Sequence, residues 1–373
     1  MAKYINLSAG DPAPWFSQRS VSNPRYVFDS AGGRYIVLCF FGSAANPHAR
    51  AAVAAALRER ALFDDNRACF FGVSNDPADE TEQRLRDVIP GYRFFWDFDG
   101  TVARLYGALP TEPGPDGEPS PVRQMWMVLD PTLRIMACIP FRDDRQDIAE
   151  VLKLVNGLPS PSRFTGFEIQ APILYLANVF EPDFCQKLIG LYEREGGQDS
   201  GFMREENGKT VGVYDYSYKR RRDYMITDKD IMREAQARIR RRVIPEIAKV
   251  HQFVATRMER YIVCCYDAEE AAHFGRHRDN TTKGTAHRKF AISVNLNDDF
   301  DGGEVSFPEY GPRGYKAPAG AAVVFSCSLL HAVSTVTRGR RYAFLPFLYD
   351  DAAAKVREEN IKYFADSNAN YKA

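Results

Sequence analysis

The sequence predicts two domains of different fold class, an α/β domain over residues 1–157 and a jelly-roll domain with flanking helices over residues 169–373. Two patterns support this division. Apolar strand-like runs alternate with helix-like segments in the first part, whereas short apolar strands separated by Gly, Pro and Asp dominate from Met258 onward. A Pro- and Ser-rich break at residues 158–162 lies between them, and we expect a linker over residues 158–168.

The first domain is predicted to alternate strands and helices. Strands are expected where β-branched and aromatic residues run together, and helices where Ala, Arg and Leu dominate. In chain order these are strand 35–41, helix 46–62, strand 68–73, helix 80–88, strands 93–96, 124–129 and 134–139, and helix 147–156. This order is typical of a layered α/β sandwich.

The second domain is predicted to begin with two helices, over residues 182–195 and 228–251, before its strands. The second helix has apolar residues at a period near four, which indicates one buried face and a solvated face for its arginines. These apolar residues are Ile231, Ala235, Ile239, Val243 and Ile247. From residue 351 we expect a helix and then a polar tail.

Composition excludes several classes of protein. The 373 residues include 49 basic and 49 acidic side chains, and 45% are hydrophobic, so the chain is long and apolar enough for two cores. Neither half is basic enough to indicate binding to nucleic acid or to a membrane surface. The basic run Lys-Arg-Arg-Arg at 219–222 is followed by Asp223, and we expect a solvated or ion-paired loop there rather than an acidic-substrate or nucleic-acid site.

The seven cysteines are scattered, without a CxxC motif, and most lie in apolar runs. This pattern favours buried free thiols in a reducing compartment. The N-terminus has no signal or transit pattern, and no apolar run approaches the length of a membrane span. We therefore expect a cytoplasmic protein without a membrane partner.

The segments LSAGDPAPWF and YIVLCFFGSAANPHARAAVAAAL resemble the thioredoxin and peroxiredoxin superfamily, which implies a thioredoxin-like fold for the first domain. In that family a reactive thiol opens the helix after this strand, where the helix end lowers its pKa. Residues 45–48 here are Ala-Asn-Pro-His, and Cys39 lies inside the strand, where we expect burial. Arg123, near the position of the peroxiredoxin arginine, is expected to be structural. We predict a non-catalytic module for docking, substrate presentation or homo-oligomer formation.

The second domain carries a candidate metal site. His277 and Asp279 form an HxD motif, and two residues apart on a strand they would share one face. His331 follows a predicted strand further on, and two histidines with one carboxylate are the set that binds Fe(II) with open positions. Arg341, ten residues after His331, offers a guanidinium fork for the distal carboxylate of a bidentate cosubstrate, which suits 2-oxoglutarate.

The stretches HRDN, RKFAISVNLNDDFDGGEVSFPEYG and PAGAAVVFSCSLLHAVSTVTRGRRYAF resemble the 2-oxoglutarate- and Fe(II)-dependent dioxygenases of the prolyl 4-hydroxylase type. The resemblance implies a double-stranded β-helix (jelly roll) with His277, Asp279 and His331 as iron ligands. It also implies Arg341 as the partner of the 2-oxoglutarate C5 carboxylate and Tyr266 as a second contact, although the interval from Tyr266 to the HxD is longer than in the family. Fe(II), 2-oxoglutarate and O2 are the implied reactants, with ascorbate as a further cofactor that the family allows.

Several neighbouring residues compete for these roles. His273 could be a ligand in another register, and Arg338 or Arg340 could replace Arg341. Strand alternation places Arg340 on the opposite face from Arg341, and we expect Arg338 to be exposed. His287 and Arg288 are assigned to solvent contact and barrel support, and His251 to an ordinary helix end.

Three functions follow as hypotheses. The first is hydroxylation of a prolyl or other residue in a protein or peptide, with conversion of 2-oxoglutarate to succinate and CO2. The second is hydroxylation of a small metabolite or free amino acid, and the third is a non-catalytic binding protein, which the complete metal set and Arg341 disfavour. The substrate itself stays open because the substrate loops of such barrels vary without a readable code.

Overall fold

The computed structural model describes residues 3–112 and 121–365, and the predicted polar tail after residue 365 lies outside them. The chain forms two compact units. The first comprises Met1–Gln170 with Pro308–Gly311, and the second comprises Ala171–Phe307 with Pro312–Ala373. Within the described ranges, every helix is too short or too polar to cross a membrane.

The first unit is built on a five-stranded mixed sheet and a separate two-stranded sheet of β1 and β2. The strands of the unit are β1 Ser17–Gln18, β2 Tyr26–Val27, β3 Tyr35–Gly42, β4 Ala68–Ser74, β5 Tyr92–Trp96, β6 Met125–Leu129 and β7 Ile135–Pro140. Its helices are α1 Pro47–Arg58, α2 Pro77–Thr81, α3 Thr101–Leu105 and α4 Gln146–Gly157. The sheet order is β5-β4-β3-β6-β7, with β3, β4 and β5 parallel and β6 and β7 antiparallel to their neighbours. All five strands and the two long helices were predicted close to these bounds, and the fold is thioredoxin-like, as expected.

The short helices of this unit differ from the prediction. A helix was expected over residues 80–88, but α2 begins at Pro77, because Asp76 caps it by accepting a hydrogen bond from the amide of Ala78 at 2.9 Å. The unpredicted α3 follows Asp97, whose carboxylate accepts from the amides of Val102 and Ala103 at 2.9 and 2.8 Å. Capping groups, rather than apolar periodicity, determine these five-residue helices.

The second unit is a jelly roll of two antiparallel sheets. Its first eight strands are β8 Leu174–Leu176, β9 Gln198–Asp199, β10 Phe202–Glu206, β11 Lys209–Val213, β12 Lys219–Arg220, β13 Arg222–Met225, β14 Arg257–Glu259 and β15 Ile262–Asp267. The remaining strands are β16 His273–His277, β17 Phe290–Asn295, β18 Val305–Ser306, β19 Gly314–Tyr315, β20 Ala322–Ser326, β21 His331–Val333, β22 Arg340–Phe344 and β23 Phe347–Tyr349. Its helices are α5 Pro182–Glu195, α6 Lys229–Arg242, α7 Ile244–His251 and α8 Asp351–Asn360.

The two sheets of the jelly roll differ in size. The larger has the order β14-β23-β17-β22-β15-β13-β9, with β20 joined to β17 and β8 joined to β20. The smaller has the order β12-β16-β21-β18-β19. The double-stranded β-helix class expected for this domain is confirmed.

The helix predicted over residues 228–251 is two helices. Its five apolar positions are buried as expected, but α6 ends at Arg242 and α7 begins at Ile244. Pro245 lies in the first turn of α7, and because proline has no amide hydrogen it cannot continue the hydrogen bonding of α6. His251 ends α7, as predicted.

The basic run at 219–222 is not the solvated loop that we expected. Lys219 belongs to β12, which pairs with β16, and Arg222 opens β13, which pairs with β15. Lys219 and Arg221 are only 4% and 6% exposed. The alternative of ion pairing is correct, because Arg221 Nη2 donates to Asp223 Oδ2 at 2.7 Å.

A buried ionic group supports β14 from the loop before β17. Glu259 accepts hydrogen bonds from His287 Nε2 at 3.0 Å and from Arg288 Nε at 2.8 Å. Burial opposes ionisation of Glu259, but the charges of Arg288 and His287 hold its pKa well below the ordinary value. The solvent contact expected for His287 and Arg288 is therefore wrong, since both are buried, while their supporting role fits the structure.

Glu259→Gln should destabilise the second unit by about 3–5 kcal/mol, because it leaves buried cations without their counter-ion. Denaturation followed by far-UV circular dichroism measures the loss. Tryptophan fluorescence is the internal control, since Trp15, Trp96 and Trp126 all lie in the first unit. The exposed Glu359→Gln should shift unfolding by less than about 0.5 kcal/mol, and equal effects of the two substitutions would contradict the assignment.

Candidate metal centre

Two histidines meet on neighbouring strands of the smaller sheet. His277 ends β16 and His331 opens β21, and the antiparallel register places them directly opposite each other. Their ring centroids are 4.1 Å apart. Asp279 lies just beyond β16, not on it as predicted, and its amide donates to the carbonyl of Cys327 at 2.9 Å. Strand pairing therefore brings together three side chains from two distant segments.

The donor atoms of this group converge. His277 Nε2 is 3.6 Å from Asp279 Oδ1, and His331 Nε2 is 3.4 Å from Asp279 Oδ2. All three ligand atoms lie within 4.8 Å of one another, and this is the one such group among the residues that the structure describes. A convergent set of two imidazoles and one carboxylate fits a single first-row metal ion.

Backbone carbonyls orient both imidazoles. His277 Nδ1 lies 2.8 Å from the oxygen of Gly275, and His331 Nδ1 lies 3.0 Å from the oxygen of Leu329. Because a carbonyl can only accept, each Nδ1 carries the hydrogen when its ring is neutral, and the lone pair is on Nε2. Both lone pairs are thus on the nitrogens nearest Asp279, where a metal ion would need them.

Electrostatics keeps Asp279 and His331 in their metal-binding protonation states. Burial favours protonation of Asp279, but His331 and His277 hold the pKa of its carboxyl below the ordinary value. Burial, together with the charge of His277, lowers the pKa of His331 to about 4. At neutral pH the site therefore offers a carboxylate and a neutral imidazole, as metal binding requires.

Arg341 faces the same cavity from the larger sheet. It lies on β22, is 2% exposed, and donates from Nε to Asn295 Oδ1 at 3.0 Å and from Nη2 to Ser293 Oγ at 2.8 Å. Both of these partners are neutral, so they orient the guanidinium without cancelling its charge. Gly303 has φ +69°, and a Cβ there would lie 3.0 Å from Arg341 Cδ, so the backbone at Gly303 packs closely on this side chain.

Tyr266 lies on β15 directly opposite Arg341 in the register. It is 1% exposed, and Arg341 Cζ lies 5.3 Å from its ring centroid. Tyr266, Arg341 and the three candidate ligands line one cavity. The structure therefore brings all five predicted site residues together.

The competing residues lie elsewhere. The His273 ring nitrogens are within hydrogen-bond distance of the carbonyls of Ala271 and Ser217, outside the metal group. Arg340 is exposed and donates to Asp267 Oδ2 at 2.7 Å, while the exposed Arg338 donates to Asp301. The preference for His277 and Arg341 over these neighbours is supported.

Sequence reasoning missed two cavity residues, Arg221 and Arg260. Arg221 was hidden inside a run of four basic residues that was assigned to a loop, and no motif marked Arg260. Arg221 lies between β12 and β13, and β13 is exposed at Arg222 and Met225, so the local pattern gave no signal for its burial.

The first unit lacks a thiol where its fold would use one. Asn46 caps α1 by accepting from the amide of His48 at 2.8 Å, and the helix start carries no cysteine. Cys39 is completely buried in β3, and burial raises the pKa of its thiol well above the ordinary value. The guanidinium of Arg123 lies 3.3 Å from the ring centroid of Tyr4, a structural contact as expected.

Comparison with known proteins defines the class of each unit. Residues 261–349 match the model of the 2OG-Fe(II) oxygenase superfamily, and residues 9–136 match that of the AhpC/TSA family. The second unit is therefore similar to the 2OG-Fe(II) oxygenases and the first to the AhpC/TSA proteins, and both resemblances seen in the sequence are confirmed.

Parts of this chain are similar to individual proteins of both kinds. A PKHD-type hydroxylase from Synechococcus sp. (strain JA-2-3B'a(2-13)) is 35% identical over 89 residues, which are 22% of this chain and 39% of the relative. The chain thus spans about two fifths of that relative's length. A viral collagen prolyl hydroxylase from Paramecium Bursaria Chlorella virus-1 has a TM-score of 0.36 and 14% identity, covering 48% of this chain and 97% of its own. A peroxidoxin from Mycobacterium tuberculosis has a TM-score of 0.35 and 23% identity, covering 42% and 100%.

His277→Ala and Asp279→Ala should each abolish stoichiometric iron binding. Losing a ligand should cost at least the roughly 10- to 100-fold in affinity that follows loss of an outer-shell partner. Iron per chain after anaerobic Fe(II) loading and desalting measures this. His273→Ala is the matched control and should retain iron like the wild type, whereas stoichiometric iron in Asp279→Ala would refute the site.

The first unit should show no thiol peroxidase activity. Hydrogen peroxide consumption with dithiothreitol as reductant should equal the protein-free rate for both wild type and Cys39→Ser, because the buried Cys39 thiol is held protonated. Thiol-dependent consumption that disappears in Cys39→Ser would contradict this assignment.

Proposed function

We propose that the second unit is an Fe(II)- and 2-oxoglutarate-dependent dioxygenase that hydroxylates a C–H bond of a prolyl or other residue in a protein or peptide. The observation that carries this proposal is the shared cavity, in which the ligand set His277, Asp279 and His331 faces the buried cation Arg341. Such an arrangement can hold a metal ion and a dianionic cosubstrate side by side.

The overall reaction balances without a further reductant. The substrate, O2 and 2-oxoglutarate give hydroxylated product, succinate and CO2, with one oxygen atom entering succinate and the other entering the product. Fe(II), bound by His277, Asp279 and His331, would supply the activation of O2. The protein would supply the ligands, the orientation of both reactants and the cavity that they share.

Arg341 would position the cosubstrate. Its neutral partners on β17 fix the guanidinium plane, so a C5 carboxylate can pair with it without a competing anion among those partners. Tyr266 backs this guanidinium as an aromatic wall. Phe274 and Phe325 line the same cavity and would exclude water beside the ligand set.

A small anionic metabolite is the second candidate substrate. The observation that favours it is the presence of two further guanidinium groups, Arg221 and Arg260, in the cavity wall. A non-catalytic binding protein would not need both a complete ligand set and Arg341. The cytoplasmic location, the use of ascorbate and a docking or oligomerisation role for the first unit stay predictions.

Arg341→Gln should raise the Kd for 2-oxoglutarate by roughly 30-fold or more, because it removes the buried cation that pairs with a carboxylate. Anaerobic titration of the Fe(II)-loaded protein measures the Kd, and succinate release measures turnover. The neighbouring Arg340→Gln is the matched control, since Arg340 is exposed and pairs with Asp267. An unchanged Kd in Arg341→Gln would overturn the proposed cosubstrate site.

A further inference from the structure

A second group of charges lies beside the candidate cosubstrate site. Three cations, Lys219, Arg221 and Arg260, surround the single carboxylate of Asp223, and we call these four residues the Asp223 cluster. Arg221 Nη2 donates to Asp223 Oδ2 at 2.7 Å, and Arg260 Nη2 donates to the same oxygen at 3.2 Å. Lys219 Nζ donates to Ser200 Oγ at 2.8 Å.

One guanidinium group of this cluster has unused hydrogen-bonding capacity inside the protein. Within the described part of the chain, the buried Nε atom of Arg260 lacks a hydrogen-bond acceptor, whereas Arg221 Nε lies 2.7 Å from Asp223 Oδ1 in their ion pair. Arg221 Nη1 reaches the hydroxyl of Tyr266 at 3.3 Å. Arg260 also has φ +62°, a left-handed conformation that is uncommon outside glycine. Unfilled buried donors and backbone strain together are typical of ligand sites.

The cluster carries more positive than negative charge. Burial, followed by the charge of Arg221, lowers the pKa of Lys219 well below its ordinary value. Even with Lys219 neutral, two guanidinium groups face one carboxylate, because Arg221 and Asp223 both remain charged. An unbalanced buried charge costs several kcal/mol, so an anion bound here would be strongly favoured.

The cosubstrate does not provide that anion. On the proposed function, on which this inference rests, one carboxylate of 2-oxoglutarate pairs with Arg341. The other would balance the charge of a metal ion held by His277, Asp279 and His331, since Asp279 is the one anion among those three residues. Both negative charges of 2-oxoglutarate are then balanced, while the excess positive charge of the Asp223 cluster remains without an anion. The cluster lines the same cavity through Arg221 and Arg260, so the remaining reactant can reach it.

We propose that Arg221 and Arg260 bind a carboxylate of the substrate, so that the enzyme selects substrates with an acidic group close to the hydroxylated carbon. This carboxylate is either the free α-carboxylate of a small molecule or the side chain of an acidic residue in a peptide. In both cases Arg221 and Arg260 are specificity-determining residues, and Asp223 holds their guanidinium groups in place.

The test uses three probes on the full chain loaded with Fe(II) and 2-oxoglutarate without oxygen. N-acetyl-L-proline carries an α-carboxylate, N-acetyl-aspartyl-prolinamide carries a side-chain carboxylate, and N-acetyl-L-prolinamide is the uncharged reference. Calorimetric titration should show at least one acid binding more tightly than the reference by about tenfold or more. Which acid binds distinguishes a small-molecule source from a peptide source.

Arg221→Gln and Arg260→Gln should each abolish the preference for the acid, while leaving the Kd for 2-oxoglutarate unchanged. Arg222→Gln is the matched control, because Arg222 is a neighbouring arginine whose side chain is 51% exposed and pairs with Glu270. Asp223 keeps one guanidinium partner in either single variant, which favours folding, and circular dichroism verifies it. If one variant does not fold, the other carries the test.

Equal binding of acids and reference, or binding of neither acid, would overturn the proposal. A loss of 2-oxoglutarate affinity in Arg221→Gln would also overturn it, since Arg221 would then belong to the cosubstrate site. The same titrations on metal-free protein separate this inference from the proposed function. A chain that binds neither Fe(II) nor 2-oxoglutarate but still prefers the acid refutes only the proposed function.

Discussion

The pairing of β16 with β21 is the constraint on which the site depends. It places His277 opposite His331, and the carbonyls of Gly275 and Leu329 then fix both rings. Asp279 is held beside them by a hydrogen bond from its backbone amide to the carbonyl of Cys327, a residue between β20 and β21. A slip of one residue in this register would turn one imidazole to the other face of the sheet and leave the carboxylate with a single partner.

The two sheets of the jelly roll contribute different charged and polar side chains to the cavity. The candidate metal ligands lie on or next to the smaller sheet, and the cation Arg341 lies on the larger sheet. Tyr266 lies between two cations of the cavity, with its ring centroid 5.3 Å from Arg341 Cζ and 5.6 Å from Arg221 Cζ. An aromatic ring attracts both guanidinium groups through its quadrupole and keeps them apart, so two like charges can coexist in one buried cavity. Each can then receive a different carboxylate.

Features of the structure that depend on nearby residues could be predicted from the sequence, whereas features that depend on contacts between distant segments could not. Strongly apolar strands such as β3 and motifs with fixed spacing, His277 with Asp279 and His331 with Arg341, were found from sequence because local pattern is enough. The burial of Lys219 and Arg221 was not, because it results from pairing with strands far along the chain. The same reason explains the error at His287 and Arg288, whose partner Glu259 lies on β14. The counter-ion of His287 and Arg288 is distant in sequence, and a local pattern does not show such a partner.

The two units show that a fold and its chemistry rest on different residues. In the first unit the sheet is held by buried aromatic contacts such as Phe71 with Phe95, whose stacked rings have centroids 5.1 Å apart. These contacts need no thiol, so the fold persists although residues 45–48 lack one. In the second unit a few polar side chains at the cavity wall carry the chemistry, while the core beneath them is apolar. Fold similarity alone would predict a peroxidase for the first unit and an oxygenase for the second. The site residues differ, because the first unit lacks the thiol at residues 45–48, whereas the second unit has the complete candidate ligand set.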